Sequence, residues 1–300
     1  VVKYPPTAAE VQRELQFYLQ ENKNLQPLLL FYKKLYARQR SFSKQPAVDI
    51  VPQALTEGLR KKEPLLSKVV LPIPLSETLK QAEAILTAAH KELLAGTEHQ
   101  FDELLMLLQS TLTAQNLEDI FCQPGNLSLP MIQAYLRKNP AAAQLTEQHL
   151  AVMAQVIRAA LQMYFVNFAR QTAASFTFEN WKEGICPVCG EKPMLAMLRA
   201  EDGSRVLECG LCHTQWDVQR IFCTSCGTTD QQHLSFFYIP EQTHRRVYVC
   251  HQCKGYLKTI VLKELAREII PDLENLVTYY LDQLAAREGY GEAGKQAVLN

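Results

Sequence analysis

The chain has 300 residues, 47% hydrophobic and 21% charged, which describes a globular protein of one to three domains with a sizeable core. Formal net charge is zero, and the part from residue 181 onward is slightly acidic. This argues against a nucleic-acid-binding protein, whose footprint is basic. The first residues, Val1-Val2-Lys3-Tyr4-Pro5-Pro6, lack the apolar core of a signal peptide, and no apolar run reaches the roughly 18 residues of a membrane span. The expectation is a cytoplasmic protein with no membrane insertion.

Taken in order, Thr7-Ala8-Ala9-Glu10 reads as a capping box, followed by a helical stripe of Val11, Leu15, Tyr18 and Leu19. Pro27 opens a second helix over 28–40, with Lys33, Lys34, Arg38 and Arg40 as its solvated face. A short helix follows Pro52. Residues 63–74, rich in Pro and Leu, read as extended, buried packing. Helices are expected over 76–94, ended by Gly96, over 101–112, and over 130–138. Cys122 is read as a small buried residue. The longest helix spans 146–174, with apolar residues on more than one face and His149 as a satisfied histidine. Residues 1–175 thus form an all-α domain without a catalytic constellation.

Eight of the nine cysteines follow, as four Cys-x-x-Cys pairs: Cys186/Cys189, Cys209/Cys212, Cys223/Cys226 and Cys250/Cys253. A two-residue gap lets a tight turn aim both sulfurs at one point, and two such turns complete a tetrahedron. The spacers are 19, 10 and 23 residues. The two long ones read as hairpins. Met194, Ala196 and Leu198 lead to a turn at Asp202-Gly203, and residues 205–208 return. Residues 234–239 and 246–249 flank a second turn at 240–244. Each hairpin would bring its own pairs together. The first site is therefore Cys186, Cys189, Cys209 and Cys212, and the second is Cys223, Cys226, Cys250 and Cys253. The alternatives are an interleaved cross-brace, disulfides, or replacement of a sulfur by His213 or His251. Four-sulfur sites without an open position hold structure rather than perform turnover. Tetrahedral sulfur suits zinc and iron alike, so two metal ions are expected, iron or zinc, one per site.

The architecture expected is mainly α with small β. It comprises an all-α domain (1–175), two tandem rubredoxin-like or zinc-ribbon modules (181–217 and 218–258), and a C-terminal helical segment (259–290). The last is read as helical from 260 to 288 with a break at Pro271-Asp272, and the tail to Asn300 as frayed. On this division, loss of Cys186 and Cys189 would unfold the first ribbon and leave the helical domain standing.

The residues also resemble a known family. Trp181-Lys182-Glu183-Gly184-Ile185-Cys186-Pro187-Val188-Cys189-Gly190 and Arg205-Val206-Leu207-Glu208-Cys209-Gly210-Leu211-Cys212 are similar to the metal region of the formate dehydrogenase accessory protein FdhE. So are the Trp216, Arg220, Cys223 step, Tyr256-Leu257-Lys258, and the closing Leu281-Asp282 and Glu288-Gly289-Tyr290. The resemblance runs from 181 to 290 and is loose in the helical half. Tyr248 and His251 stand where the family often has acids. It implies a non-enzymatic cytoplasmic assembly factor that binds the catalytic subunit of a formate dehydrogenase. Trp216, Arg220 and Tyr256 are the candidate partner-binding residues. Further aromatic contacts are Phe222, Phe236, Phe237, Tyr238 and Tyr248, most of which a small ribbon core would absorb. Trp216 and Arg220 have helical spacing and equally suit a local stacking pair. The competing reading is a redox protein passing electrons to or from that enzyme through iron–tetrathiolate centres. Nothing in the residues sets an oligomeric state.

Overall fold

The computed structural model describes residues 3–42, 48, 50–94, 100–121, 123 and 125–291. The expectations for Gly96, Cys122 and the tail after 291 lie outside the described residues. Helix α1 (Ala8–Glu21) starts at the expected capping box: the Thr7 hydroxyl accepts from the Glu10 N–H, and the Glu10 carboxylate accepts from the Thr7 N–H. Helix α2 (Gln26–Arg40) carries Pro27 in its first turn, where no N–H is needed. Then come α3 (Pro52–Arg60), α4 (Leu75–Leu93), α5 (Phe101–Thr111), the single turn α6 (Ala114–Asn116) and α7 (Leu129–Leu136).

The central element is α8 (Glu147–Ala173), capped by Thr146 and His149. Its 27 residues are buried nearly all round from Val156 to Ala169, because α4, α5 and α7 pack against it. Contrary to the expectation of no span-length apolar run, α8 is long and apolar enough to cross a membrane. The reason is that few charges interrupt it; 78% of that window is buried inside the fold.

The cysteine-rich half forms one six-stranded sheet rather than two separate hairpins. Each ribbon supplies a three-strand meander: β1 (Pro193–Leu198), β2 (Arg205–Cys209) and β3 (Gln215–Val218), then β4 (Leu234–Tyr238), β5 (Arg245–Cys250) and β6 (Tyr256–Val261). The order is β3-β2-β1-β6-β5-β4, and the central seam is parallel, with Ala196 opposite Thr259 and Leu198 opposite Val261. Two strands depart from the sequence reading. Trp216 lies on β3, so its spacing to Arg220 is not helical. Ile260 and Val261 lie on β6, so the C-terminal helices begin later, as α9 (Pro271–Val277) and α10 (Tyr279–Arg287). The β-branched run Thr259-Ile260-Val261 fits a pleated central position, and cross-ribbon pairing settles it.

One apolar core runs from the helices into the first ribbon. Leu161 and Phe165 of α8 belong to the same buried cluster as Trp181, Val188, Leu207 and Trp216. The turn at the first cysteine pair is also tied to the helical half by backbone. Leu65 N–H donates to the Pro187 carbonyl (2.9 Å) and Leu66 N–H to that of Val188 (2.8 Å). The buried cluster therefore continues across the expected boundary between 175 and 181, beside a smaller cluster of the sheet's own at Leu195, Met197, Val206 and Ile260. The second ribbon sits further out, with Val247 and Val249 covered by Leu281 and Ala285 of α10.

Candidate functional site

The four cysteine pairs share one local frame. In each, the N–H of the first cysteine donates to the carbonyl five residues on: Cys186 to Glu191 (2.8 Å), Cys209 to Thr214 (3.0 Å), Cys223 to Thr228 (2.9 Å) and Cys250 to Gly255 (2.9 Å). The residue after each pair is left-handed: Gly190 at φ 76°, His213 at 56°, Gly227 at 77° and Lys254 at 59°. Glycine adopts this conformation at no steric cost, whereas a side chain is strained by about 1–2 kcal/mol. The repeated frame is the signal in the sequence that marks His213 and Lys254. Two of four equivalent positions are Gly, so all four need the same backbone.

The structure gathers the sulfurs as the hairpin spacing expects, and not as a cross-brace. Cys186, Cys189, Cys209 and Cys212 form one group and Cys223, Cys226, Cys250 and Cys253 the other, with the sulfurs of each within 4.8 Å of one another. The nearest approaches are 3.5 Å (Cys186 to Cys212), 3.4 Å (Cys189 to Cys209), 3.6 Å (Cys223 to Cys253) and 3.8 Å (Cys226 to Cys250). A disulfide needs about 2.05 Å. A tetrahedron with metal–sulfur bonds of about 2.3 Å has edges of about 3.8 Å. The donor set thus fits one thiophilic ion per group.

The first group is wholly buried, and burial pushes the Cys186 and Cys189 thiols well up. Four thiolates packed there require a cation to balance them. Backbone donors help: Leu211 N–H points at the Cys209 sulfur (3.3 Å). The second group is shallower, with Cys226 exposed.

Neither histidine joins a sulfur group. His213 is buried, its ring stacked on Tyr4 at 3.7 Å, with Nδ1 3.1 Å from the Glu208 carboxylate and Nε2 3.0 Å from the Gln162 amide. Burial opposes its positive charge, but Asp272 and Glu208 outweigh burial and raise its pKa. His251 lies between the Ser235 hydroxyl and the Tyr290 hydroxyl, 2.9 Å from each. Of the three candidate partner contacts, Trp216 is 2% exposed and its indole N–H donates to the Glu183 carbonyl (3.0 Å). Burial by the first-ribbon core removes it from any free surface. Arg220 is exposed, and Tyr256 is half-buried with its hydroxyl donating to Asp282 (3.0 Å). These two line one cavity beside the second group, and Trp216 does not.

The ribbons touch at Gly184. A Cβ there would fall 1.9 Å from the Thr224 carbonyl oxygen, between the Cys223/Cys226 turn and the bend that leads to Cys186. Gly184→Ala is expected to cost about 1–3 kcal/mol by forcing the ribbons apart. A thermal melt of the metal-loaded protein checks this; an unchanged midpoint would show that the backbones separate freely.

Two four-cysteine ribbons fused into one sheet on a helical body define a tandem-ribbon protein with two potential metal sites. Residues 185–220 match the family model "FdhE, central domain". An FdhE homolog from Aquifex aeolicus is 33% identical over 133 residues, covering 43% of this chain and 46% of that protein. One from Stutzerimonas stutzeri is 30% identical over 199 residues, covering 60% and 63%. The chain thus spans about half to five-eighths of the length of the curated relatives it matches. The crystal structure of the FdhE protein from Pseudomonas aeruginosa superposes with a TM-score of 0.62 at 21% identity, over 98% of this chain and 97% of that one, and so shares the fold. The chain is similar to the FdhE proteins, most clearly over residues 185–220, which match their central domain.

Proposed function

We propose that this protein is a cytoplasmic assembly factor for a formate dehydrogenase, binds that enzyme's catalytic subunit, and performs no turnover itself. The observation that carries this is the pair of closed sulfur quartets. Each offers four protein ligands, so a tetrahedral ion would have no position left for water or substrate. Cys186, Cys189, Cys209 and Cys212 would hold one ion, and Cys223, Cys226, Cys250 and Cys253 the other. Zinc or iron bound there would supply rigidity to two ribbons with little core of their own. The kinship with FdhE proteins supports the client.

Capture of the formate dehydrogenase catalytic subunit by the tagged, metal-loaded protein is the expected result in cells expressing that enzyme. No enrichment, with two ions per chain verified by elemental analysis, would overturn the assembly role.

A redox function is the second reading, favoured by the exposure of Cys226, which brings the second site to the surface. It requires iron: anaerobically purified protein would be red and bleach with reductant, and colourless zinc protein would exclude it.

A further inference from the structure

We propose that the cavity beside the second sulfur group binds a carboxylate side chain of an acidic, extended peptide presented by the client. The cavity of about 440 Å³ lies between the two ribbons, with Cys223 and Cys250 at its wall. This volume is in the range of ligand pockets. Three guanidiniums line it, from Arg205, Arg220 and Arg246, and no Asp or Glu does among the described residues. Arg246 is neutralised by Glu264 at 2.6 Å. Arg205 and Arg220 pair with no carboxylate among the described residues. Arg205 is only 3% exposed; its guanidinium donates to the Phe222 carbonyl (2.7 Å), and its Nε is buried without a partner. A buried cation normally carries a counter-charge. Here the sulfur group at the same wall supplies negative charge, and a ligand carboxylate would meet the unpartnered Nε of the guanidinium fork.

The charge of the site argues for a single carboxylate over phosphate. Four thiolates with a divalent ion leave two net negative charges next to the cavity. These repel a dianionic phosphate about twice as strongly as a carboxylate. The shape argues for a peptide. One wall is β4, the last strand of the sheet, whose outer edge has no neighbour in the sheet order. Such an edge accepts an added strand. Phe236 and Tyr238 of β4 are each 44% exposed and stack at 6.2 Å. Arg205 lies over the Tyr248 ring, which stacks on Phe236, so rings and guanidinium share one face of the sheet. An extended peptide along β4 would turn its acidic side chains to that face and its apolar ones to the other.

The assignment rests on the client-binding reading, and a direct binding assay separates the two. The probe is a fluorescent eight-residue peptide alternating Val and Glu, measured by anisotropy against the full, metal-loaded chain. Replacing its Glu by Gln is expected to weaken binding about tenfold or more, as is Arg220→Glu in the protein. Arg220 is exposed, so that variant keeps its metal and fold, which elemental analysis and circular dichroism verify. Equal affinity for the Glu and Gln peptides, or wild-type affinity in Arg220→Glu, would overturn the proposal. So would inorganic phosphate displacing the peptide at lower concentration than acetate. Arg205→Lys that loses the second ion while the peptide still binds would assign that guanidinium to balancing the thiolates and also overturn it. Peptide binding without capture of formate dehydrogenase supports the cavity and sinks the client; capture without peptide binding does the reverse.

Discussion

Replacing Cys186 and Cys189 by Ser releases one ion and unfolds the helical half together with the first ribbon. The two share one buried cluster, and the Pro187 and Val188 carbonyls accept from Leu65 and Leu66 of the helical half. Ligation at a structural site contributes on the order of 10 kcal/mol to folding. A domain of this kind is stable by about 5–15 kcal/mol. Loss of the buried site therefore removes most or all of the margin. Far-UV circular dichroism should show no cooperative melt above room temperature, and metal analysis should find at most one ion. Cys250→Ser with Cys253→Ser is the contrast. That pair lies in the outer ribbon, so the variant should lose one ion and keep the helical melt. A helical melt that survives loss of the first site would restore the independent helical domain the sequence suggests.

Glu274→Gln should cost about 3–5 kcal/mol, the range for breaking a buried ion pair from one side. Glu274 is fully buried on α9 and joins elements far apart in sequence: Arg245 of β5 (2.7 Å), Arg267 (3.1 Å) and the Tyr18 hydroxyl of α1. Burial alone would push its carboxyl up. The Arg245 charge and hydrogen bond, with Tyr18 and Arg267, outweigh burial and hold it below the ordinary 4.5. A lowered carboxyl contributes stability that is present above the ordinary value and lost as pH falls through the folded one. The wild type should lose stability below pH 4.5, and the variant should lose less of it. Glu14 is the control. It meets the same Arg267, but its Oε1 is buried without a partner, and burial outweighs the Arg267 charge and keeps its pKa raised. Its contribution is lost as pH rises, so Glu14→Gln should cost far less than Glu274→Gln. Urea melts at pH 7 and pH 4 measure both; equal costs would refute the network.

The helical half was readable where the signal is local. The Thr7–Glu10 box, Pro27 in a first turn and the long apolar run of α8 each appear within a residue or two of their expected places. The sequence reading failed where neighbours mislead. Trp216 and Arg220 have a spacing that a helix or a strand with a following loop both satisfy, and pairing of residue 216 with Leu207 decides for the strand. Ile260 and Val261 run into Leu262-Lys263-Glu264-Leu265, a mixed pattern that suits a helix, and only the register with Leu198 makes them a strand. The charge pairs were invisible for the same reason: Glu14 and Arg267 are 253 residues apart.

The grouping of eight sulfurs into two quartets was determined by the sequence itself. A two-residue gap and a hairpin are short-range constraints, and few residues suffice to state them. The parallel seam that makes two ribbons one sheet was decided by tertiary structure alone, as was the shared core beneath the first quartet. So was the meeting of Arg205 and Arg220 in a cavity without a carboxylate. Those features depend on which surfaces come to lie together once distant segments bury their apolar faces, and no local pattern encodes that choice.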